Sequence, residues 1–294
     1  MKKIFIIIIL LLTATCRFQL KAAKRALIIG ISCYEQHKLN QLDWHPIHGT
    51  NDVAMIGATL KKQGFSVARL TNNKATAQNI KKAFIALTRQ SQTGDIIYIH
   101  FSGHGQPVED CNGDEPDGWD EAIVPYDAGQ KYVKNVYDGR NHIIDDELND
   151  LVTGIRRKVG KSGFVYVVID ACHSGGSSRG EEKEDSVYMR GTAEGFSRSG
   201  KRFVPRIDKR AVISMPTGKN MANACYLEAC RSYQTNVEIR VGKHYYGSIS
   251  YYINKVLEKH QLTKDTQWTE NVRKLMSADC RLLRQNMVVE RSGI

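Results

Sequence analysis

The chain has 294 residues, 41% hydrophobic and 25% charged, a composition that supplies a real core for one large α/β domain or two small ones and excludes disorder throughout. Its net charge of +11 comes from Lys and Arg residues that are scattered, without zinc-finger spacing, an RNP motif or an aromatic-interleaved basic stripe, so no nucleic-acid partner is expected.

The N-terminus carries Lys2 and Lys3, an apolar stretch from Ile4 to Leu12, and the small-residue sequence Thr13-Ala14-Thr15-Cys16. This is the order of a secretory signal peptide, and the apolar run is too short to span a membrane as a helix. Residues 1–23 therefore read as a leader, and the mature chain as exported to the periplasm, cell envelope or extracellular space, with no transmembrane segment. Cys16 follows small residues as at a lipoprotein cleavage site, although Thr15 departs from that pattern. Lipid attachment at Cys16 and simple cleavage near Ala22-Ala23 or after Ala14 are the alternatives.

Strands and helices then alternate. Residues 26–31 form a buried strand, 52–63 a helix ending at Gly64, 65–70 a second strand and 76–88 a helix. The β-branched run 96–101 is a strand that ends in Ser102-Gly103-His104-Gly105. The segment 111–127 is acidic and turn-rich, with a short strand at 122–124; a helix covers 145–159, and 164–169 is a strand that runs into Asp170-Ala171-Cys172-His173-Ser174-Gly175-Gly176. From 175 to about 210 the chain is rich in Gly, Ser and charge and reads as a loop. Strands at 211–215 and 224–230 and helices at 245–258 and 267–284 complete it. Such alternation argues for a mainly parallel sheet covered on both faces, with the ligand site beyond the carboxyl ends of its strands.

His104 and Cys172 lie at two such ends. A thiolate is the nucleophile of cysteine chemistry, and one histidine can both favour its ionisation and protonate a departing amine. His173, adjacent to Cys172, is the rival base but points elsewhere on an extended chain. Seven cysteines, at 16, 33, 111, 172, 225, 230 and 280, include no C-x-x-C pair, and nothing in their spacing dictates a zinc site or a disulfide.

These two segments, together with Gly49-Thr50-Asn51-Asp52-Val53-Ala54-Met55, the acidic stretch from Gly113 to Pro125, Ile144-Asp145-Asp146-Glu147-Leu148 and Tyr233-Gln234-Thr235, resemble the caspase-like cysteine peptidases, and within them the metacaspases, here of a bacterial, secreted type. The resemblance implies a caspase-like (caspase/haemoglobinase) α/β fold with a mainly parallel six-stranded sheet flanked by helices on both faces. It implies a single peptidase domain over 24–294, with a processing loop at 176–210 between a large-subunit-like part, 24–175, and a small-subunit-like part, 211–294. The implied activity is that of a cysteine endopeptidase with a Cys172–His104 dyad, acting on protein or peptide substrates, with the backbone N–H groups of Gly105 and Cys172 as oxyanion hole.

By the same resemblance Asp52 and Asp170 line the pocket for the residue before the cut and select Arg or Lys. Ser232 and Tyr233 stand where acidic residues are usual, which makes the expected pocket less negative and leaves Arg against Lys open. Without the resemblance, Asp52 could be an N-cap and Asp170 a strand-end acceptor. No cofactor is required for the chemistry. Asp120, Asp145 and Asp146 match three calcium-ligand positions, while Arg179 occupies the fourth and opposes a metal there. The loop carries Arg179, Lys183, Arg190, Arg198, Lys201, Arg202, Arg206, Lys209 and Arg210. An enzyme that cuts after basic residues is expected to process itself there, as a zymogen. The alternatives are a catalytically silent caspase-like binding or scaffold protein, and a peptidase with another cut-site preference.

Overall fold

The computed structural model describes residues 22–39, 42–173, 188–192, 194–205, 207, 212–215 and 218–292. The leader and Cys16 fall outside these residues apart from 22 and 23, as do Arg179, Lys183, Arg206, Lys209 and Arg210. Among the described residues no helix is long and apolar enough to cross a membrane.

The strands are β1 (Lys24–Gly30), β2 (Phe65–Thr71), β3 (Ile96–Ser102), β4 (Gly105–Glu109), β5 (Trp119–Ile123), β6 (Ile143–Ile144), β7 (Phe164–Asp170), β8 (Val212–Met215), β9 (Asn223–Glu228), β10 (Glu238–Val241), β11 (His244–Gly247) and β12 (Val288–Ser292). The helices are α1 (Gly49–Lys62), α2 (Ala77–Gln90), α3 (Asp145–Val159), α4 (Ser248–Leu257) and α5 (Trp268–Ser277). The main sheet runs β2-β1-β3-β7-β9-β12-β8. Its first five strands are mutually parallel, β12 lies antiparallel to β9, and β8 is parallel to β12.

β3 and β7 are buried at every position because both faces of the sheet are covered. Alternate residues therefore feed two cores. Leu27, Ile29, Ile97, Ile99, Val165 and Val167 pack with Ile80 and Phe84 of α2 and Val152 and Ile155 of α3. Ala26, Ile28, Tyr98, Tyr166, Val168 and Leu227 pack with Val53 and Ile56 of α1, Ile253 of α4 and Val272 of α5. Each such fully buried Val, Leu, Ile or Phe contributes roughly 1.5–3 kcal/mol.

The caspase-like layered architecture is the expected one, with a seventh strand. β12 follows the expected 267–284 helix, which itself stops at Ser277 and passes into a 3-10 turn at Cys280–Leu282. The helix expected from 245 begins instead at Ser248, because Glu238–Val241 and His244–Gly247 pair as a hairpin whose Gly242 has φ +62°. That turn conformation is one glycine adopts freely. A separate three-stranded sheet, β4-β5-β6, stands beside the His104 turn.

Candidate active site

Ser102, the last residue of β3, pairs in register with Asp170, the last of β7. His104 and Cys172 each follow their register partner by two residues, so adjacent parallel strands deliver both to one end of the sheet. Both are fully buried. The Cys172 thiol donates to the carbonyl oxygen of Gln234 at 2.7 Å, and the Cys230 thiol lies 3.4 Å from Cys172 Sγ.

A wall from the loop after β1 surrounds His104: Trp44 stacks on its ring at 4.9 Å, Tyr34 lies at 5.1 Å and the Tyr34 hydroxyl accepts its backbone N–H at 2.6 Å. His104 Nε2 donates to the carbonyl oxygen of His45 at 2.9 Å, which assigns the Nε2–H tautomer, while Nδ1 is buried without a hydrogen bond. Burial pushes the imidazole pKa well below its ordinary value, so the ring is neutral and Nδ1 is a free base. The thiol donates to the Gln234 carbonyl oxygen, and no hydrogen bond joins it to His104 Nδ1 in this arrangement. The rival His173 pairs with Glu121 at 3.2 Å; burial alone would lower its pKa, but the carboxylate outweighs that and lifts it to about 9.

Arg190 fills the centre of the site. Residues 188–190 lie antiparallel to 236–238: Glu238 N–H donates to the Tyr188 carbonyl at 2.9 Å, Arg190 N–H to the Asn236 carbonyl at 3.0 Å, and Met189 bridges Val237. His45 Nε2 reaches the Met189 carbonyl oxygen at 3.1 Å. The Arg190 carbonyl oxygen accepts from the backbone N–H of Cys172 at 2.7 Å and of Gly105 at 3.3 Å, the two donors expected to form an oxyanion hole. A Cβ on Gly105 would lie 2.7 Å from the Cys172 carbonyl oxygen, so only glycine brings its N–H this close.

The Arg190 guanidinium is buried among three carboxylates. Nη2 donates to Asp52 Oδ2 at 2.7 Å and to Glu238 Oε1 at 2.8 Å, Nε to Glu238 Oε1 at 3.1 Å, and Nη1 to Ser102 Oγ at 2.6 Å, with Asp170 Oδ1 at 3.4 Å. Asp52 is in the first turn of α1, whose N-cap is His48, and so is not the cap. Burial raises its pKa to about 7 against the lowering effect of Arg190. Asp170 is also a strand-end acceptor, taking the N–H and hydroxyl of Ser250 at 3.0 and 2.5 Å and the Asn236 amide at 2.7 Å. Glu238 is held by the backbone N–H and Nδ1 of His48 at 2.8 and 2.6 Å. Burial would raise its pKa, but Arg190 and His48 outweigh it and bring the value to about 2.

Three placements differ from expectation. Ser232 lines a small acidic pocket with Asp117, Asp120, Glu121 and Asp145, whose lining includes none of the three carboxylates of the arginine pocket. That pocket is not poorer in charge for lacking acidic residues at 232 and 233, because Glu238 supplies a third carboxylate six residues later. Nor are the described residues of 188–192 and 194–205 merely a solvated loop: Arg190 and Phe196 are buried, while Arg198, Lys201 and Arg202 are exposed. Arg198 donates to the Asp138 carbonyl, and Lys201 to those of Asp117 and Gly118.

Of the expected calcium ligands, Asp145 accepts the Glu121 N–H at 3.2 Å and Asp146 the Asn112 amide at 3.1 Å. Asp120 instead clusters with Asp110 and Asp114, one carboxylate oxygen of each within 4.8 Å of the others. Asp120 is 4% exposed and its Oδ1 has no partner; burial and the surrounding carboxylates raise its pKa to about 7. This donor set of hard oxygens with an orphaned buried atom fits a divalent cation.

Among relatives, Metacaspase-1A of Aspergillus fumigatus is 26% identical over 287 residues, covering 85% of this chain and 65% of that protein. Metacaspase-6 of Arabidopsis thaliana is 33% identical over 165 residues, covering 52% and 39%. Depending on the relative, the match spans from 38% to 65% of the curated relative's own length. Two crystal structures share the fold: a structural-genomics protein of Geobacter sulfurreducens, at 19% identity and TM-score 0.61 over 92% of this chain and 94% of that one, and Caspase-1 of Spodoptera frugiperda, at 13% identity and TM-score 0.56 over 92% and 91%. The family profile "Metacaspase, peptidase C14 domain" matches residues 24–178, more than half of the sequence, and the chain belongs to that family.

Proposed function

We propose that this chain is a cysteine endopeptidase that cuts after basic residues, arginine above lysine, and that it is made as a self-inhibited zymogen whose first substrate is its own bond between Arg190 and Gly191. One observation carries this reading: Arg190 has its guanidinium among Asp52, Asp170 and Glu238 while its carbonyl oxygen accepts from Cys172 and Gly105. Lysine could offer charge to this pocket but not the Nε–H that Glu238 accepts.

In the proposed reaction the Cys172 thiol turns from Gln234 and passes its proton to His104 Nδ1. Sulfur then attacks the Arg190 carbonyl carbon, and the two N–H donors hold the resulting oxyanion. His104 returns the proton to the Gly191 nitrogen as the C–N bond breaks. Water, deprotonated by the same imidazole, hydrolyses the thioester and restores the thiol. The His45 carbonyl keeps the ring in the required tautomer throughout.

Fluorogenic peptides with Arg, Lys or Asp before the leaving group test the proposal. Turnover is expected to fall in the order Arg, Lys, with none for Asp, and Cys172→Ala is expected to abolish it and to retain the intact mass. No turnover of any peptide with Cys172 free and reduced would remove the peptidase reading; turnover of the Asp peptide alone would remove the pocket assignment.

Asp110, Asp114 and Asp120 are the residues we propose to hold calcium, with Asp145 nearby; the ion would neutralise a crowded acidic turn and takes no part in the chemistry. Calcium in excess is then expected to raise the melting temperature by about 3 °C or more. Asp120→Asn should remove that response and, in chelator, melt higher than wild type because one of the repelling charges is gone. An undiminished calcium shift in Asp120→Asn would rule this site out. The pattern at residues 2–16 supports export of the mature enzyme, which a fractionation of cells expressing the full chain would check.

A further inference from the structure

The seated segment reports more than the residue before the cut. On an extended strand, residues two apart share a side, so Tyr188 projects to the same side as Arg190 and Met189 to the other. The Tyr188 ring meets His48 edge-on at 4.7 Å and Tyr245 edge-on at 4.8 Å, and His48 and Tyr245 stack on each other at 5.0 Å. These two rings come from different elements, the N-cap of α1 and strand β11, and Asn51 of α1 ties them by donating to the Tyr245 carbonyl at 3.0 Å. His48 also anchors Glu238 through both its backbone N–H and its ring, so one residue builds the floor of the arginine pocket and a wall of the neighbouring one. After the cut site, a Cβ on Gly191 would fall 2.0 Å from the Cys172 carbonyl oxygen, which admits only glycine in this placement.

We infer that His48 and Tyr245 form an aromatic subsite, and that the protease selects polypeptide segments of the pattern aromatic–any–Arg, with glycine following the cut. The inference rests on the reading of residues 188–190 as a substrate in place, and it names a substrate class that the basic pocket alone does not. Edge-to-face aromatic contacts are favoured geometries whose stabilisation exceeds that of simple area burial. An aliphatic side chain of similar size would keep the burial and lose that increment.

The test uses the self-processed wild-type chain and internally quenched peptides that carry Tyr-Met-Arg, Phe-Met-Arg, Leu-Met-Arg or Ala-Met-Arg, each followed by glycine. The Tyr and Phe peptides are expected to exceed Ala by about tenfold in kcat/KM, with Leu between them. In Tyr245→Ala the ratio of Tyr to Ala peptide should collapse toward one. Equal turnover of the Tyr and Ala peptides, Leu equal to Tyr, or a ratio retained in Tyr245→Ala would each overturn the aromatic subsite while leaving the peptidase standing. No turnover of any arginine peptide would overturn both. Should Tyr245→Ala not fold, the comparison among the four peptides on wild type decides alone.

Discussion

Arg190→Ala is expected to stop cleavage at the 190–191 bond and to destabilise the intact chain by about 3–5 kcal/mol, the cost of leaving a buried ion pair half empty. Both effects have one origin. Asp52, Asp170 and Glu238 are each buried, and Arg190 is the cation they share. Removing the guanidinium leaves three carboxylates facing one another in a site closed to water. Asp52 already has its pKa raised to about 7 by burial even with Arg190 lowering it, so in the variant it rises further and takes up a proton. A carboxylate with a raised folded-state pKa binds more protons folded than unfolded, so stability falls as pH rises. The destabilisation should therefore be smallest near pH 6 and largest above pH 8. Intact-mass analysis and melting curves across that range measure both effects. Processing of Arg190→Ala at the wild-type rate, at Arg198 or Lys201 for instance, would show that the seated arginine is not the substrate.

On the proposed reading, the seating of Arg190 would keep the intact chain inactive without a separate inhibitory domain. With residues 188–190 in place, Cys172 and His104 are both inaccessible, and a competing substrate must first displace a buried guanidinium. The proposed cut would free the new Gly191 end, which lies against Cys172, and leave an arginine carboxyl terminus able to depart.

The two strands that lead to His104 and Cys172 were readable because a strand buried on both faces is a near-continuous apolar run, and both runs stop in small residues where the backbone turns. The Ser102 and Asp170 register then follows from parallel pairing, and with it the meeting of His104 and Cys172. Other members of the site left no such trace. Glu238 opens a hairpin strand whose partner, His244 to Gly247, runs without a break into α4, and the aromatic run there satisfies strand and helix spacing equally. His45 acts through its carbonyl oxygen toward His104, a role no side-chain pattern encodes. Arg190 was one of nine basic residues in its loop. What distinguishes it is pairing with residues 236–238, some fifty positions away, and only the tertiary fold brings those together.

The sharpest consequence for external substrates falls on Asp52. Its Oδ2 accepts from Arg190 Nη2 and Ser102 Oγ while Oδ1 accepts the Gly247 N–H at 3.0 Å, so every hydrogen bond it makes uses it as an acceptor. Asp52→Asn keeps the shape but removes the charge and turns one acceptor into a donor, which must face either the incoming guanidinium, the Ser102 hydroxyl or a backbone N–H. Truncating one partner of a buried hydrogen-bonded charge pair costs about 2–5 kcal/mol, so kcat/KM for arginine peptides should fall by about a hundredfold or more. A pH signature separates this from general damage. Burial raises the pKa of Asp52 to about 7 against the lowering effect of the arginine in the pocket, and loss of that cation is expected to leave it higher in the emptied pocket. Binding therefore expels a proton over the interval between the two values, and affinity for arginine substrates rises with pH from about 7 upward. In wild type KM for an arginine peptide should drop across that interval, and in Asp52→Asn it should be high and flat. A variant that lost kcat alone, with the slope of KM against pH intact, would mean that Asp52 supports the fold of the site and does not read the substrate's charge.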